Sequence, residues 1–255
     1  VTRTGIEMML AVDVSNSMLA QDFEPSRLER TKFAIDRLTQ QLEQDRIGLI
    51  VFAGDAYMQL PITSDYVAAR SFAAQISPTM VSKQGTAIGA AIDLAASSFS
   101  SGSEGSRVIV VISDGENHED DALAAAKAAA EKGIRIYTIG IGTPEGAPIS
   151  IDGEFIKDEQ GDMVVSKLDE QMLEQIALTT GGAYIRATNR SLGLDEIVQK
   201  INEVEKKELT STVFEDFNEQ YQYLIGLALA LLLLEFAMLE RRSRLLARFN
   251  IFRKR

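Results

Sequence analysis

The sequence predicts an α/β fold: a doubly wound, mostly parallel sheet flanked by helices, with one transmembrane helix near the C-terminal end. Three observations predict it. Short apolar runs, of which Arg107-Val108-Ile109-Val110-Val111-Ile112 is the clearest, read as strands buried on both faces. Such runs alternate with stretches of helical spacing. A leucine-rich run near the end shows no polar face.

Met8 to Val12 form the first strand, which stops at Asp13. Pro25-Ser26 start a helix in which Leu28, Phe33, Ile35, Leu38 and Leu42 keep roughly helical spacing, and Asp45-Arg46 end it. Ile47 to Phe52 is a second buried strand, closed by Gly54. Thr63-Ser64-Asp65 cap a helix over 66–76. Lys83 to Ile92 is a glycine-marked loop opening a helix of small residues, and 97–106 is a serine- and glycine-rich solvent loop. The strand at 107–112 ends in Ser113-Asp114-Gly115. An alanine-rich helix over 120–132 is ended by Gly133, and a strand follows over 134–141. Residues 143–168, broken by Pro144, Pro148, Gly153 and Gly161-Asp162, read as an inserted hairpin on the domain edge. Helices over 170–180 and 196–208 flank a short strand at 183–186.

With 255 residues and 45% hydrophobic content the chain can build one substantial core. The absence of cysteine excludes disulfides, thiol nucleophiles and cysteine–zinc sites. A lone histidine, His118, excludes a histidine-rich metal site. The net charge is −11, yet residues 240–255 carry seven basic residues against Glu240, a net +6 that leaves −17 on the rest. So acidic a body is a poor nucleic-acid binder. Val1 to Arg3 lack an initiator methionine and a signal peptide, so this end reads as processed or cut from a longer product.

The stretch Asp13-Val14-Ser15-Asn16-Ser17 sets one carboxylate and two hydroxyls on one side of an extended turn. This is a hard-oxygen set, suited to a small divalent cation such as Mg²⁺, with coordination positions left open. Ligands of open parallel sheets sit at the carboxyl ends of strands, where strand order reverses. Asp13 and Asp114 each end an apolar strand and Thr86 lies in a loop opening a helix, so Asp13, Ser15, Ser17, Thr86 and Asp114 can meet at one point.

Asp13-x-Ser15-x-Ser17, then Gly85-Thr86, then Ser113-Asp114-Gly115 resembles the metal-ion-dependent adhesion site (MIDAS) of von Willebrand factor A (VWA) domains, over roughly residues 6–208. The resemblance implies the Rossmann-like VWA fold for a domain over 1–208. It implies that the two serine hydroxyls and the threonine bind Mg²⁺ or Mn²⁺, that the two acids bind it directly or through water, and that a protein partner's Asp or Glu fills the open position. Partly neutralised by its ligands, the cation would attract such a carboxylate strongly, and an acidic surface would repel carboxylates docking out of register.

After a polar stalk, 209–222, residues 223–239 read as a transmembrane helix, rising ~25 Å against a ~30 Å hydrocarbon core. Tyr221 and Tyr223 match an interfacial aromatic belt, and the basic tail, 240–255, marks the cytoplasmic side. Glu235 lies within reach of Arg241 and Arg242. The run Asp13 to Met18 and the leucine-rich ending before Glu240-Arg241-Arg242 look like the bacterial aerotolerance-type (Bat, BatB-like) membrane proteins. Members usually carry a second membrane helix ahead of the domain. That resemblance implies an inner-membrane protein with its VWA domain periplasmic. It also implies sister VWA proteins, repeat proteins and a cytoplasmic MoxR-type AAA+ ATPase as partners.

Glu116, Glu119, Asp120 and Asp121 do not match an EF-hand spacing and are expected to favour the N-terminus of the following helix. His118 reads as a solvated loop residue, and Gly85 and Gly89 as sites of tight packing rather than a phosphate cradle. Two rival functions remain. One is a structural subunit whose metal only braces loops. The other is a Mg²⁺-dependent phosphohydrolase with Asp13 as nucleophile, disfavoured because Ser15, not an acid, stands two residues on. The reading is therefore a binding module and not an enzyme.

Overall fold

The computed structural model describes residues 5–42, 44–100, 105–117, 119–151, 153–158, 160–215 and 221–240, with side chains described through 204 and again over 225–235. The chain divides into two units, 1–203 and 204–255.

In the first unit, β1 (Glu7–Asp13) leads through a 3₁₀ turn, Asn16–Leu19, to α1 (Arg27–Gln41). Helix α1 starts where Ser26 accepts the Glu29 N–H at 3.2 Å, a first-turn donor that would otherwise be orphaned. Then follow β2 (Arg46–Phe52), β3 (Ala56–Thr63), α2 (Tyr66–Ala74), α3 (Ile88–Ser98), β4 (Arg107–Ser113), α4 (Ala122–Glu131) and β5 (Arg135–Gly140). Four two-residue strands build the insertion: β6 (Ala147–Pro148), β7 (Ser150–Ile151), β8 (Glu154–Phe155) and β9 (Val165–Ser166). Helix α5 (Glu170–Thr179), β10 (Tyr184–Arg186) and α6 (Leu194–Glu215) close the sequence of elements.

The main sheet runs β10-β5-β4-β1-β2-β3, parallel throughout except for the antiparallel β2–β3 pair. Side-chain alternation along β1 divides the core in two. Met8, Leu10 and Val12 pack with Leu28, Ile35 and Leu38 of α1, Ala69 and Ala73 of α2, and Ile197 and Ile201 of α6. Met9 and Ala11 face the other layer, with Ile88 and Ile92 of α3, Ala126 of α4 and Leu173 of α5. Chain order reverses at β1, so its carboxyl end lies where such folds form their ligand crevice.

The expected doubly wound, mostly parallel sheet is therefore present, and residues 143–168 hold two antiparallel strand pairs and one isolated bridge. Strand β3 escaped the sequence reading. Its alternation is blurred by mixed burial, its register to β2 shifts twice, and it contains Pro61, a poor strand signal. Helix α6 continues to Glu215 rather than ending at 208, so the stretch read as a stalk begins inside a helix; residues 216–220 lie outside the described residues.

The second unit holds α7 (Tyr221–Glu240) over the expected hydrophobic run. Ile225, Leu227, Leu229 and Leu231 to Leu234 are all exposed, on every face of that helix. A transmembrane helix over 223–239 is not established by the fold. Among the described residues no helix is long and apolar enough to cross a membrane. The described side chains of α7, 225–235, cover only ~16 Å, about half a hydrocarbon core. The basic tail beyond Glu240 lies outside the described residues.

Candidate metal-binding site

Asp13 closes β1 fully buried, because β2 and β4 flank it in parallel register. Its Oδ1 accepts the Ser15 N–H at 2.8 Å, turning the chain sharply so that the Ser15 and Ser17 hydroxyls meet at 2.8 Å. Its Oδ2 accepts the Ser113 hydroxyl, from the end of β4, at 2.7 Å. Asp13, Ser15 and Ser17 are thus brought into one hydrogen-bonded cluster.

Asp114 follows Ser113 and is also fully buried. Its Oδ2 accepts from Arg27 Nη1 at 3.1 Å and from the Ser166 hydroxyl at 2.9 Å. Gly115 must follow it: φ is +80°, and a Cβ there would stand 2.5 Å from the Asp169 carbonyl oxygen. The Asp169 N–H in turn donates to the Asp114 carbonyl at 2.8 Å.

Thr86, also buried, rides on a loop pinned at both sides. The Ala87 N–H donates to Ala53 O at 2.7 Å, and Gln84 Oε1 accepts the Asn16 N–H at 3.2 Å. The loop bearing Thr86 is thereby fastened to the Asp13 turn and to the end of β2.

Four residues that the sequence reading missed, Arg27, Asp22, Ser166 and Thr143, complete the surroundings. Arg27 is fully buried and grips Asp22 with two donors at 2.8 Å each, while also donating to Ser166 Oγ at 2.8 Å. Asp22 accepts the Thr143 N–H at 3.0 Å. Burial opposes ionisation of Asp22, but the Arg27 guanidinium and Thr143 outweigh it and hold its carboxyl below the usual value. Asp13 moves the other way. Burial, then the charge of Asp114, push it up to about 7 from 3.8, against the hydrogen bonds from Ser113 and Ser15.

Asp22 and Asp114 share one buried cation, Arg27. Asp13 stands near Asp114, bonded only to Ser15 and Ser113 among the described residues, so ionising all three acids leaves two negative charges in excess. Two buried carboxylates with hydroxyls alongside form a hard, oxygen-only set, which fits Mg²⁺ or Mn²⁺. Among the described residues no three Asp, Glu or His side chains converge; the set here has two acids, the rest being hydroxyls.

The nearby acids divide their work differently from expectation. Asp121 caps α4 through the Ala124 N–H. Asp120 instead caps α3, accepting the Gly89 and Ala90 N–H groups at 3.0 and 2.7 Å. Glu119 pairs with Lys83, and Glu116 accepts the Lys167 N–H. Gly89 leaves room for the Asp120 carboxylate, which a Cβ would meet at 2.9 Å. His118 lies outside the described residues.

An oxygen cluster at the carboxyl rim of a doubly wound sheet defines an α/β domain with a ligand crevice at its strand reversal. A model of the von Willebrand factor type A domain matches residues 7–201, and the chain belongs to that family. An aerotolerance-related membrane protein from Bacteroides fragilis, crystallised with multiple mutations to serines, is 52% identical with a TM-score of 0.75. The match covers 78% of this chain and 100% of that one. BatB from Bacteroides thetaiotaomicron, a conserved hypothetical protein, is 50% identical with a TM-score of 0.74 over the same shares. An uncharacterised Borreliella burgdorferi protein is 30% identical over 237 residues, 91% of this chain and 68% of its own length. This chain spans 62% of a Mycolicibacterium paratuberculosis relative. The resemblance to Bat-type, aerotolerance-related membrane proteins thus extends across the whole domain.

Proposed function

We propose that this protein is a membrane-anchored interaction module of the bacterial envelope that captures a partner's carboxylate at a divalent cation, Mg²⁺ or Mn²⁺. Asp13, Ser15, Ser17, Thr86 and Asp114 would hold the ion. The observation that carries this reading is the pair Asp13 and Asp114, both fully buried, with Arg27, bonded to Asp114, as the one buried Lys or Arg among the described residues. Carboxylates are seldom buried without a balancing cation. When bound, the cation supplies a positive centre with coordination positions open to an outside Asp or Glu. The chain's own residues place the donors: the Asp13 turn presents Ser15 and Ser17, and Gly115 lets β4 turn away beneath Asp114.

The anchor would be α7 with its flanks. Its apolar side chains over 225–235 are exposed on every face, which water disfavours and lipid does not. The domain would then be periplasmic on the inner membrane and the basic tail cytoplasmic. Sister VWA proteins, repeat proteins and a MoxR-type AAA+ ATPase are the partners this placement suggests. A bracing metal in a structural subunit is the second reading, favoured by the buried hydrogen bonds that already tie Asp13 and Asp114 in place. Mg²⁺-dependent phosphohydrolysis is the weakest.

The test is Mn²⁺ binding to the full chain in detergent by electron paramagnetic resonance, with acidic-peptide capture measured alongside. Asp13→Ala and Thr86→Ala are expected to weaken both. Metal binding with capture insensitive to chelator would favour the bracing role, and no metal binding would overturn the site. Extraction of membranes at alkaline pH is expected to leave the chain in the pellet and to release a chain lacking 223–255.

A further inference from the structure

The insertion between β5 and α5 is two-faced. Pro148 pairs with Val165, Ser150 with Phe155, and Lys157 with Met163. Paired residues share a face of a ribbon, and residues two apart along a strand do so as well. One face therefore holds Ala147, Ile149, Val164 and Ser166, and the other Phe155, Lys157, Met163 and Val165. Burial follows this division as far as Ile149, beyond which Ile151 of the inward row is 37% exposed. Ala147, Ile149 and Ser166 are buried, whereas Phe155, Met163 and Val165 are 52%, 56% and 45% exposed. Lys167 continues the outward row, since a Cβ at Gly146 would meet both Val165 and Lys167 side chains.

The inward face joins the candidate metal site at two places. Ser166 donates to Asp114 and accepts from Arg27, and β7 lies against the Asn16–Leu19 turn that carries Ser17. Val165, at the near end of the exposed row, is the covalent neighbour of Ser166. Three exposed apolar side chains on one face of a small ribbon are more than scattered surface residues and read as a contact patch. Lys157 and Lys167, both exposed, flank it on a domain whose overall charge is strongly negative.

We infer that this outward face is the second contact surface for the partner whose carboxylate takes the metal, and that it selects an acidic residue with apolar neighbours. The inference rests on the metal-bridged reading above. The two lysines complement the partner's acidic charge, and Phe155, Met163 and Val165 remove apolar side chains of the same segment from water. The ribbon, built beside the metal loop and bonded to Asp114, would set which carboxylate is accepted. A free Asp or Glu lacking apolar neighbours would bind the ion without covering the ribbon.

The probe is a phage-displayed random peptide library selected against the full chain in detergent with Mg²⁺. Enriched peptides are expected to hold an Asp or Glu beside aliphatic or aromatic residues. Their affinity is expected to fall by about tenfold in Phe155→Ser and in Met163→Ser, as loss of an anchor side chain does, with Mn²⁺ binding and melting temperature unchanged. Two variants are used so that one misfolding leaves the other decisive. Peptides without apolar neighbours, peptides indifferent to both variants, or no enrichment would overturn the surface. Binding that is sensitive to the ribbon variants but indifferent to chelator would sustain the surface while overturning the metal bridge.

Discussion

Arg27 donates from Nη1 to Asp114 Oδ2 at 3.1 Å with neither side chain exposed, so a cation from α1 holds the acid that ends β4. The same guanidinium forks onto Asp22 and reaches Ser166. One buried side chain thus ties the loop before α1, the central sheet and the insertion.

Replacing Arg27 by Met is expected to leave Asp22 and Asp114 buried without their partner. Breaking such a pair by removing one member costs about 3–5 kcal/mol, read as a large fall in melting temperature. Arg27→Lys keeps the charge but cannot fork, and should recover only part of the loss.

Asp13 sets the pH dependence of the metal-free protein. With its pKa raised to about 7 from 3.8, the folded state holds a proton that the unfolded chain has already lost. Stability should therefore be full at low pH and fall as pH rises from about 4 to about 7, then level off. Asp22, held below its ordinary value, contributes the opposite slope only under stronger acid, below about pH 4. Denaturant melts with chelator across this range should show the fall. Asp13→Asn should flatten it, because an amide does not ionise, and excess Mg²⁺ should offset it in the native chain.

Loss of the Asp120 carboxylate should loosen α3, although the residue sits next to α4 in sequence. Asp120→Ala removes the acceptor of two N–H groups, at Gly89 and Ala90. A cost of about 1–2 kcal/mol is expected, with faster hydrogen exchange at those two amides as the specific readout.

Gly115→Ala should damage fold and site together. The positive φ costs an alanine about 1–2 kcal/mol, and its Cβ would press on the Asp169 carbonyl. Melting temperature and Mn²⁺ affinity should fall in parallel, because Asp114 is the preceding residue.

Much of this architecture was legible because apolar runs and strand-ending acids are local signals. Val108 to Ile112 could hardly be other than a central strand, and Asp13 and Asp114 stood where such strands stop. The sheet order shows them at the same rim, as the alternation implied. Arg27 was invisible for the opposite reason: an arginine in a helix's first turn looks solvated until three distant segments close over it. Ser166 is separated from Arg27 by 139 positions, so no spacing rule reaches it. Asp120 misled because capping was assumed to serve the nearer helix, whereas Gly89 opens space for it on the farther one.

Both outer strands of the main sheet make poor templates. Strand β10 is three residues long, and β3 carries Pro61, which has no N–H to offer. A second copy of this chain finds a short or proline-broken ladder at either border, which disfavours fibril-like stacking. Contacts between copies are then left to side chains rather than to an added strand.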